Sequence, residues 1–265
     1  MNAPSRARYP VCMDAYPTLL RTDSEPVYAT IEETRLHRQR RCALGYRVFG
    51  AFGWGTLGDG HISARDPELT DHFWLLKYGV PFGLASVDDL VLVGPGGRVV
   101  RGTGDINMTA YYIHGPIHDA RTEVVSAAHT HTPYGTPWAA NAETFEPICQ
   151  EATGFFEDHT VFDDEEVQVA SVEGGKRIAV ALGETKATIL RNHGLLAVGQ
   201  SVDEAVGWFL LMERVAEVHV KAPNAKAISP EAAREARRDI GDPASAWSAF
   251  QFALRSKIPD PTVVG

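Results

Sequence analysis

Three histidines in this chain have the type and spacing to hold a metal ion. His129 and His131 close an apolar run, VVSAA, over residues 124–128. Such a run reads as a buried strand. In a strand, residues i and i+2 point to one face, so both imidazoles can reach one ion without bending the backbone. Pro133 and Gly135 then end the strand and leave the two rings at a loop mouth. A second apolar run, residues 188–190, breaks at Asn192-His193-Gly194 and resumes over residues 195–198. His193 in that turn is suited to be the third ligand. Three protein ligands with coordination positions left open describe a catalytic site rather than a closed structural one. Taken singly, an H-x-H pair reads equally as two polar residues on one strand face, and Asn, His and Gly all suit turns by backbone preference. The combination is what points to a metal. A neutral set of three imidazoles suits zinc, iron, copper or nickel by ligand softness. Zinc would polarise a carbonyl or activate water, whereas Fe(II) could hold a 2-oxo acid and dioxygen side by side.

The elements that position these residues follow from pattern. Thr30 and Glu33 make a capping box opening a helix whose inner side would be Ile31, Leu36, Ala43, Leu44 and Val48, and which ends at Gly50 and Gly53. A glycine-rich turn covers residues 54–60. Strands are expected over residues 61–65, 73–78, 90–93 and 98–101, the last two joined around Pro95-Gly96-Gly97 as a hairpin. Residues 107–120 read as a helix with Gly115-Pro116 inside it, and Ala110, His114 and His118 recur every four residues on one face. Residues 141–156 read as a helix, 163–166 as an exposed acidic loop, 167–172 as a strand and 176–182 as a short helix. Ser201 and Glu204 open a long helix to about residue 220, and two further helices cover residues 230–240 and 244–254. The expected division is an N-terminal arm (1–29), one metal-binding domain (30–222) and a C-terminal helical extension (223–265) packed on the same domain.

Composition narrows the class. At 265 residues, with 44% hydrophobic and 22% charged residues, the chain is long enough for one sizeable core. A formal charge of −9 supplies no basic field for phosphates, which argues against nucleic acid. The basic run at residues 38–41 lies inside the first helix and reads as a solvated face. No stretch approaches the roughly 20 apolar residues of a membrane span, and no secretory h-region opens the chain. Cys12, Cys42 and Cys149 have no metal or redox spacing and read as reduced thiols of a cytoplasmic protein.

Over residues 30–220 the chain resembles the class II aldolase/adducin family, in which a strand ending H-x-H and a later N-H-G turn supply three metal-binding histidines. The glycine-rich GDGHISARDP of residues 58–67 belongs to the same likeness. The resemblance implies a three-layer α/β/α fold with a central mixed sheet, His129, His131 and His193 as ligands, and a homo-oligomer, commonly a tetramer. It also implies a mismatch. The position of the aldolase acid/base glutamate is Ala110, and retro-aldol cleavage needs a group that moves a proton. Where the aldolases bind phosphate, this chain has Gly60-His61 and Pro81-Phe82-Gly83, and aromatic residues gather nearby: Phe73, Trp74, Tyr78, Phe82, Tyr111, Tyr112, Tyr134 and Trp138.

Within the family the chain is most similar to the bifunctional non-heme iron oxygenases of the clorobiocin and novobiocin type, through residues 8–24, 58–67, IHGPIH (113–118), HTHT (129–132), FFEDH (155–159) and RNHGLL (191–196). That likeness implies Fe(II), with dioxygen as cosubstrate. The partner would be a small aromatic 2-oxo acid, with no nucleic acid and no membrane. The reaction would convert a prenylated 4-hydroxyphenylpyruvate through a 4-hydroxymandelate to a 4-hydroxybenzoate in antibiotic biosynthesis. His114 and His118 would orient the carboxylate or steer a proton, or be packing histidines. His61, Thr132 and Tyr134 are candidate substrate contacts by position. His37, His72, His159 and His219 are assigned to surface or structure. Two alternatives stay open: a zinc- or manganese-dependent aldolase or decarboxylase on a hydroxy or aromatic acid, and a non-catalytic adducin-like assembly module.

Overall fold

The computed structural model describes residues 24–265, so the arm expected at residues 1–29, with Cys12 and most of the motif at residues 8–24, lies largely outside the described residues. The elements are helix α1 (Ile31–Ala51), strands β1 (Gly60–Ile62), β2 (Ala64–Arg65), β3 (Phe73–Leu76), β4 (Leu90–Gly94) and β5 (Arg98–Arg101), and helix α2 (Met108–Ala120). There follow strand β6 (Ser126–Thr130), short helices α3 (Gly135–Ala139) and α4 (Gln150–Thr153), strand β7 (Thr160–Phe162) and helix α5 (Val172–Leu182). Strands β8 (Ala187–Leu190) and β9 (Gly194–Gly199) and helices α6 (Val202–Lys221), α7 (Pro230–Ile240) and α8 (Pro243–Lys257) complete the chain.

The layering can be read from the alternation of buried side chains. Along β9, Leu195 and Ala197 join a core built with α1, α6 and α8, while Leu196 and Val198 join a second core built with α2 and α5. On β6, Ala128 faces the first core and Ala127 the second. Both faces of this sheet are therefore buried, which gives its strands their continuous apolar character. The sheet runs β1-β6-β9-β8-β7 and is mixed, since β7 and β8 alone pair parallel. This is the expected α/β/α arrangement. A second, antiparallel sheet, β2-β3-β4-β5, was not anticipated. The run expected as one strand over residues 61–65 changes sheets at Ser63, whose amide still donates to the Ala127 carbonyl.

Four further expectations need correction. Residues 141–156 do not form one helix. Pro147 has no amide hydrogen to give a helix, Ala142 takes a positive φ of 51°, and the Phe145 and Glu146 amides donate instead to the His159 and His219 rings. Residues 167–172 are not a strand. Ser171 caps α5, which begins at Val172 and runs through Gly174-Gly175. Those glycines permit close packing on α2, for a Cβ at Gly175 would lie 1.7 Å from the Tyr112 carbonyl oxygen. The basic run at residues 38–41 is not a solvated face. Arg41 is buried and bidentate to Asp203, and Arg38 pairs with Glu25. Ile31 and Leu36, expected inward, are exposed.

Thr30 and Glu33 do form a full capping box. α8 closes one side of the first core with Phe250 and Leu254. Among the described residues no helix is long and apolar enough to cross a membrane.

Candidate metal centre and active site

His129 is the fourth residue of β6 and shares a face with Ala127, so it points into the α2 side of the sheet. His131 lies just beyond the strand. His193 arrives from β8 through a turn in which Asn192 adopts the left-handed region at φ 55°, a conformation Asn tolerates better than most residues. The turn is tied by the Asn192 amide to the Ala139 carbonyl at 3.1 Å and by the His193 amide to the Leu190 carbonyl at 3.0 Å. Ring centroids are 5.4 Å apart for His129–His131, 4.7 Å for His129–His193 and 5.0 Å for His131–His193. One ligating nitrogen from each lies within 4.8 Å of the others. His129 is buried, whereas His131 and His193 are partly exposed, so the trio is deep on one side and open on the other.

The surroundings prepare these rings for a cation. His129 Nδ1 lies 2.7 Å from the Leu195 carbonyl and donates to it, which leaves Nε2 as the lone pair. Burial, with His193, His61 and His131 adding to it, pushes His129 well below the usual imidazole range. Burial and His131 bring His193 down to about 4. Ligands that stay unprotonated at neutral pH bind metal without proton competition. Asp59 places Oδ2 3.7 Å from His131 Nδ1. Gly60 lets β1 approach β6 closely: its φ is 138° and a Cβ there would fall 2.4 Å from Thr130. The three nitrogens thus fit a divalent ion of the zinc or iron type.

His61 pairs across the sheet with His129, their rings 4.9 Å apart. His61 Nδ1 and His114 Nε2 are 2.7 Å apart, and both rings are buried. His114 therefore reaches the centre through His61. His118, on the same helical face, instead accepts from the Ser63 hydroxyl at 2.8 Å and donates from Nδ1 to the Val124 carbonyl at 3.2 Å. Burial and nearby Arg65 lower it to about 3. Its bonds fix the point where the chain passes between sheets. Thr132 donates its hydroxyl to Glu213 at 2.5 Å, and the Tyr134 ring lies under the Lys221 ammonium.

Glu213 and Asp59 were not singled out from the sequence. Glu213 sits on the inner side of α6 and also accepts from the Tyr134 and Gly135 amides at 3.1 and 2.8 Å. Burial raises its carboxyl. A carboxylate interrupting the apolar face of α6 was the available signal. Asp59, inside GDGH, stood two residues from His61. His37, His72, His159 and His219 are engaged by Tyr28, Asp71, Phe155 and Val215.

A cavity opens beside His61, walled by Gly60, Leu75, Tyr78, Phe82 and Ala110. No carboxylate lines it among the described residues. Of the aromatic residues grouped from the sequence, Tyr78 and Phe82 reach this cavity, while Phe73, Trp74 and Trp138 are buried in the cores.

Comparison with known proteins shows what the chain is similar to. The chain is 37% identical over 231 residues to Decarboxylase NovR of Streptomyces niveus, covering 85% of this chain and 86% of that protein. It is 36% identical over 231 residues to the 4-hydroxy-3-prenylphenylpyruvate oxygenase/4-hydroxy-3-prenylbenzoate synthase of Streptomyces roseochromogenus subsp. oscitans, covering 85% and 83%. Among solved structures, L-fuculose 1-phosphate aldolase from Glaciozyma antarctica PI12 superposes with a TM-score of 0.82 at 31% identity, covering 88% of this chain and 93% of that one. Residues 40–220 match the Class II Aldolase and Adducin N-terminal domain, and with its H-x-H strand, N-H-G turn and layered sheet this chain belongs to that family.

Proposed function

We propose that the chain is a non-heme Fe(II) oxygenase. It would take a 4-hydroxyphenylpyruvate, ring-prenylated in the full pathway, through a 4-hydroxymandelate to a 4-hydroxybenzoate in aminocoumarin-type antibiotic biosynthesis. The observation that carries this reading is Ala110. It stands in the cavity wall beside His61 where an aldol cleavage needs a proton-moving side chain. Two oxidative decarboxylations need no such carboxylate. The first consumes dioxygen and releases carbon dioxide. The second consumes another dioxygen and releases carbon dioxide and water, so no outside reductant enters.

His129, His131 and His193 would hold the ion, which when bound would supply a chelating position for the 2-oxo acid and one-electron chemistry with dioxygen. The apolar wall of Leu75 and Phe82 suits an aromatic ring better than a sugar phosphate. The two described cysteines are free thiols, in keeping with a cytoplasmic enzyme, and a homo-oligomer, tetrameric as in the family resemblance, belongs to the same reading.

The identity to the L-fuculose 1-phosphate aldolase favours a second reading, a zinc- or manganese-dependent lyase on a hydroxy acid. Oxygen uptake separates the two. Protein stripped of metal and reloaded anaerobically with Fe(II) or Zn(II) is offered 4-hydroxyphenylpyruvate, its 3-prenyl form and the matching mandelates. Iron-dependent uptake with benzoate formation is expected. Carbon–carbon cleavage with zinc or manganese and no uptake would move the chain to the lyases. Failure to bind any metal would favour an adducin-like module.

A further inference from the structure

His61 and His114 form a buried pair whose bonding is one-sided. His114 is fully buried, and its Nδ1 has no hydrogen-bond partner. Its Nε2 is 2.7 Å from His61 Nδ1. Only one proton can lie between those two nitrogens. A buried N–H without an acceptor is rarer and more costly than a buried lone pair without a donor. The bare nitrogen of His114 is therefore Nδ1, and its ring proton sits on Nε2 and is donated to His61. His61 Nδ1 is then the acceptor, and the proton of His61 must sit on Nε2.

That remaining nitrogen has no partner among the described residues, and it is not among the buried polar atoms left unpaired. His61 lines the cavity beside Ala110, and its ring is 4.9 Å from that of the ligand His129. We propose that His61 is a hydrogen-bond donor, through Nε2–H, to an oxygen of the acid bound at the metal centre, with His114 as the positioning residue that imposes this tautomer. The ligand class is a 2-oxo or 2-hydroxy acid, whose carboxylate, keto or hydroxyl oxygen is the acceptor. This deepens the oxygenase reading and rests on it for the identity of the acid, while the tautomer assignment stands apart from it. A pair of imidazoles thereby offers a fixed donor where the cavity has no carboxylate, which suits the holding of an anionic oxygen and not the removal of a proton by a base.

Two measurements test it. Long-range proton–nitrogen correlation spectra of the nitrogen-15-labelled, zinc-loaded full chain report which ring nitrogen of each histidine carries hydrogen. Protonation at Nε2 and a bare Nδ1 in both His61 and His114 is expected; a protonated His61 Nδ1 would overturn the proposal whatever reaction the protein performs. Calorimetric titration of 4-hydroxyphenylpyruvate into the zinc-loaded protein reads the donor directly. His61→Gln keeps an N–H near the Nε2 position and should bind within about threefold of wild type, while His61→Leu should weaken binding roughly tenfold or more, as loss of a bond to a charged group does. His114→Phe should weaken binding with its metal content unchanged. Equal loss in the Gln and Leu variants would show a packing role and sink the donor assignment, as would unchanged binding in His61→Leu. Absence of binding in the wild type would count against the substrate class, leaving the spectra to decide the tautomer.

Discussion

His129 donates its Nδ1 proton to the Leu195 carbonyl at 2.7 Å, so the strand that carries one candidate metal ligand is oriented by the strand that follows another. β6 and β9 are neighbours over five residue pairs, and Leu195 lies two residues past His193. The backbone of β9 thus sets both the ring angle of His129 and the entry of His193. This coupling makes the trio a property of the sheet and leaves little for flexible loops to decide. His129→Ala should therefore lose bound iron or zinc, to below about a tenth of wild type, while keeping its secondary structure and oligomer size, because the sheet pairing does not depend on the imidazole. Metal analysis beside circular dichroism and light scattering checks this. A variant that keeps its metal would remove His129 from the centre.

Asp59 should tune the centre from outside it. Its carboxylate is 3.7 Å from His131 Nδ1, close enough to favour the orientation in which Nε2 faces the ion. Asp59→Asn keeps the size and removes the charge. Metal affinity measured by chelator competition should fall about tenfold, at the low end for such partners. An affinity indistinguishable from wild type would make Asp59 a turn residue only, serving the Leu57 amide.

Much of this site could be read before the fold was known, for reasons that are local. An H-x-H at a strand end constrains two side chains by the two-residue period alone, and Asn-His-Gly marks a turn by backbone preference. Capping at Thr30, the hairpin at Pro95-Gly96-Gly97 and the span of α6 are local in the same sense. What escaped was set by partners distant in sequence. Arg41 reads as surface until Asp203 is brought to it. Residues 141–156 keep a helical composition but are held open by His159 and His219. The glycines of α5 look like breakers until Tyr112 lies against them. His114 and His118 share a helical face, yet a step of one turn gives one of them to His61 and the other to Ser63.

Glu213 should matter for stability and for the mouth of the site together. Its carboxylate accepts from the Thr132 hydroxyl and from the Tyr134 and Gly135 amides, so one side chain of α6 pins the turn that follows His131. Glu213→Ala removes the acceptor of the Thr132 hydroxyl and the Tyr134 amide and leaves the Gly135 amide only the Thr132 hydroxyl, and should cost roughly 2–4 kcal/mol in urea unfolding. Glu213→Gln keeps an acceptor and should cost less than half of that. Equal stability of the Ala variant and wild type would show that water replaces the carboxylate freely.

The buried histidines give the protein a pH dependence with a definite sign. Burial lowers His61, His114, His118 and His129 below the ordinary imidazole value, with His118 at about 3. Each stays neutral in the folded protein but takes up a proton near pH ~6.5 once unfolded. Below that pH the unfolded chain binds more protons, so stability rises with pH there. The contribution is complete above about pH 6.5 and is lost as pH falls from there toward 3, each group losing about 1.4 kcal/mol per pH unit while its folded form remains neutral. Asp66 acts in a separate window. Burial would raise its carboxyl, but bonds from Arg35, from the Leu69 and Glu68 amides and from Trp74 outweigh that and hold it at about 2. Its contribution is therefore present above pH ~4 and fades between about 4 and 2. The melting temperature of the metal-free protein should be level from pH 8 to 7 and fall steeply between about pH 6.5 and 5, above the window in which Asp66 acts. A profile flat down to pH 5 would mean that these imidazoles gain protons without unfolding, and that the site is wetter than its packing allows.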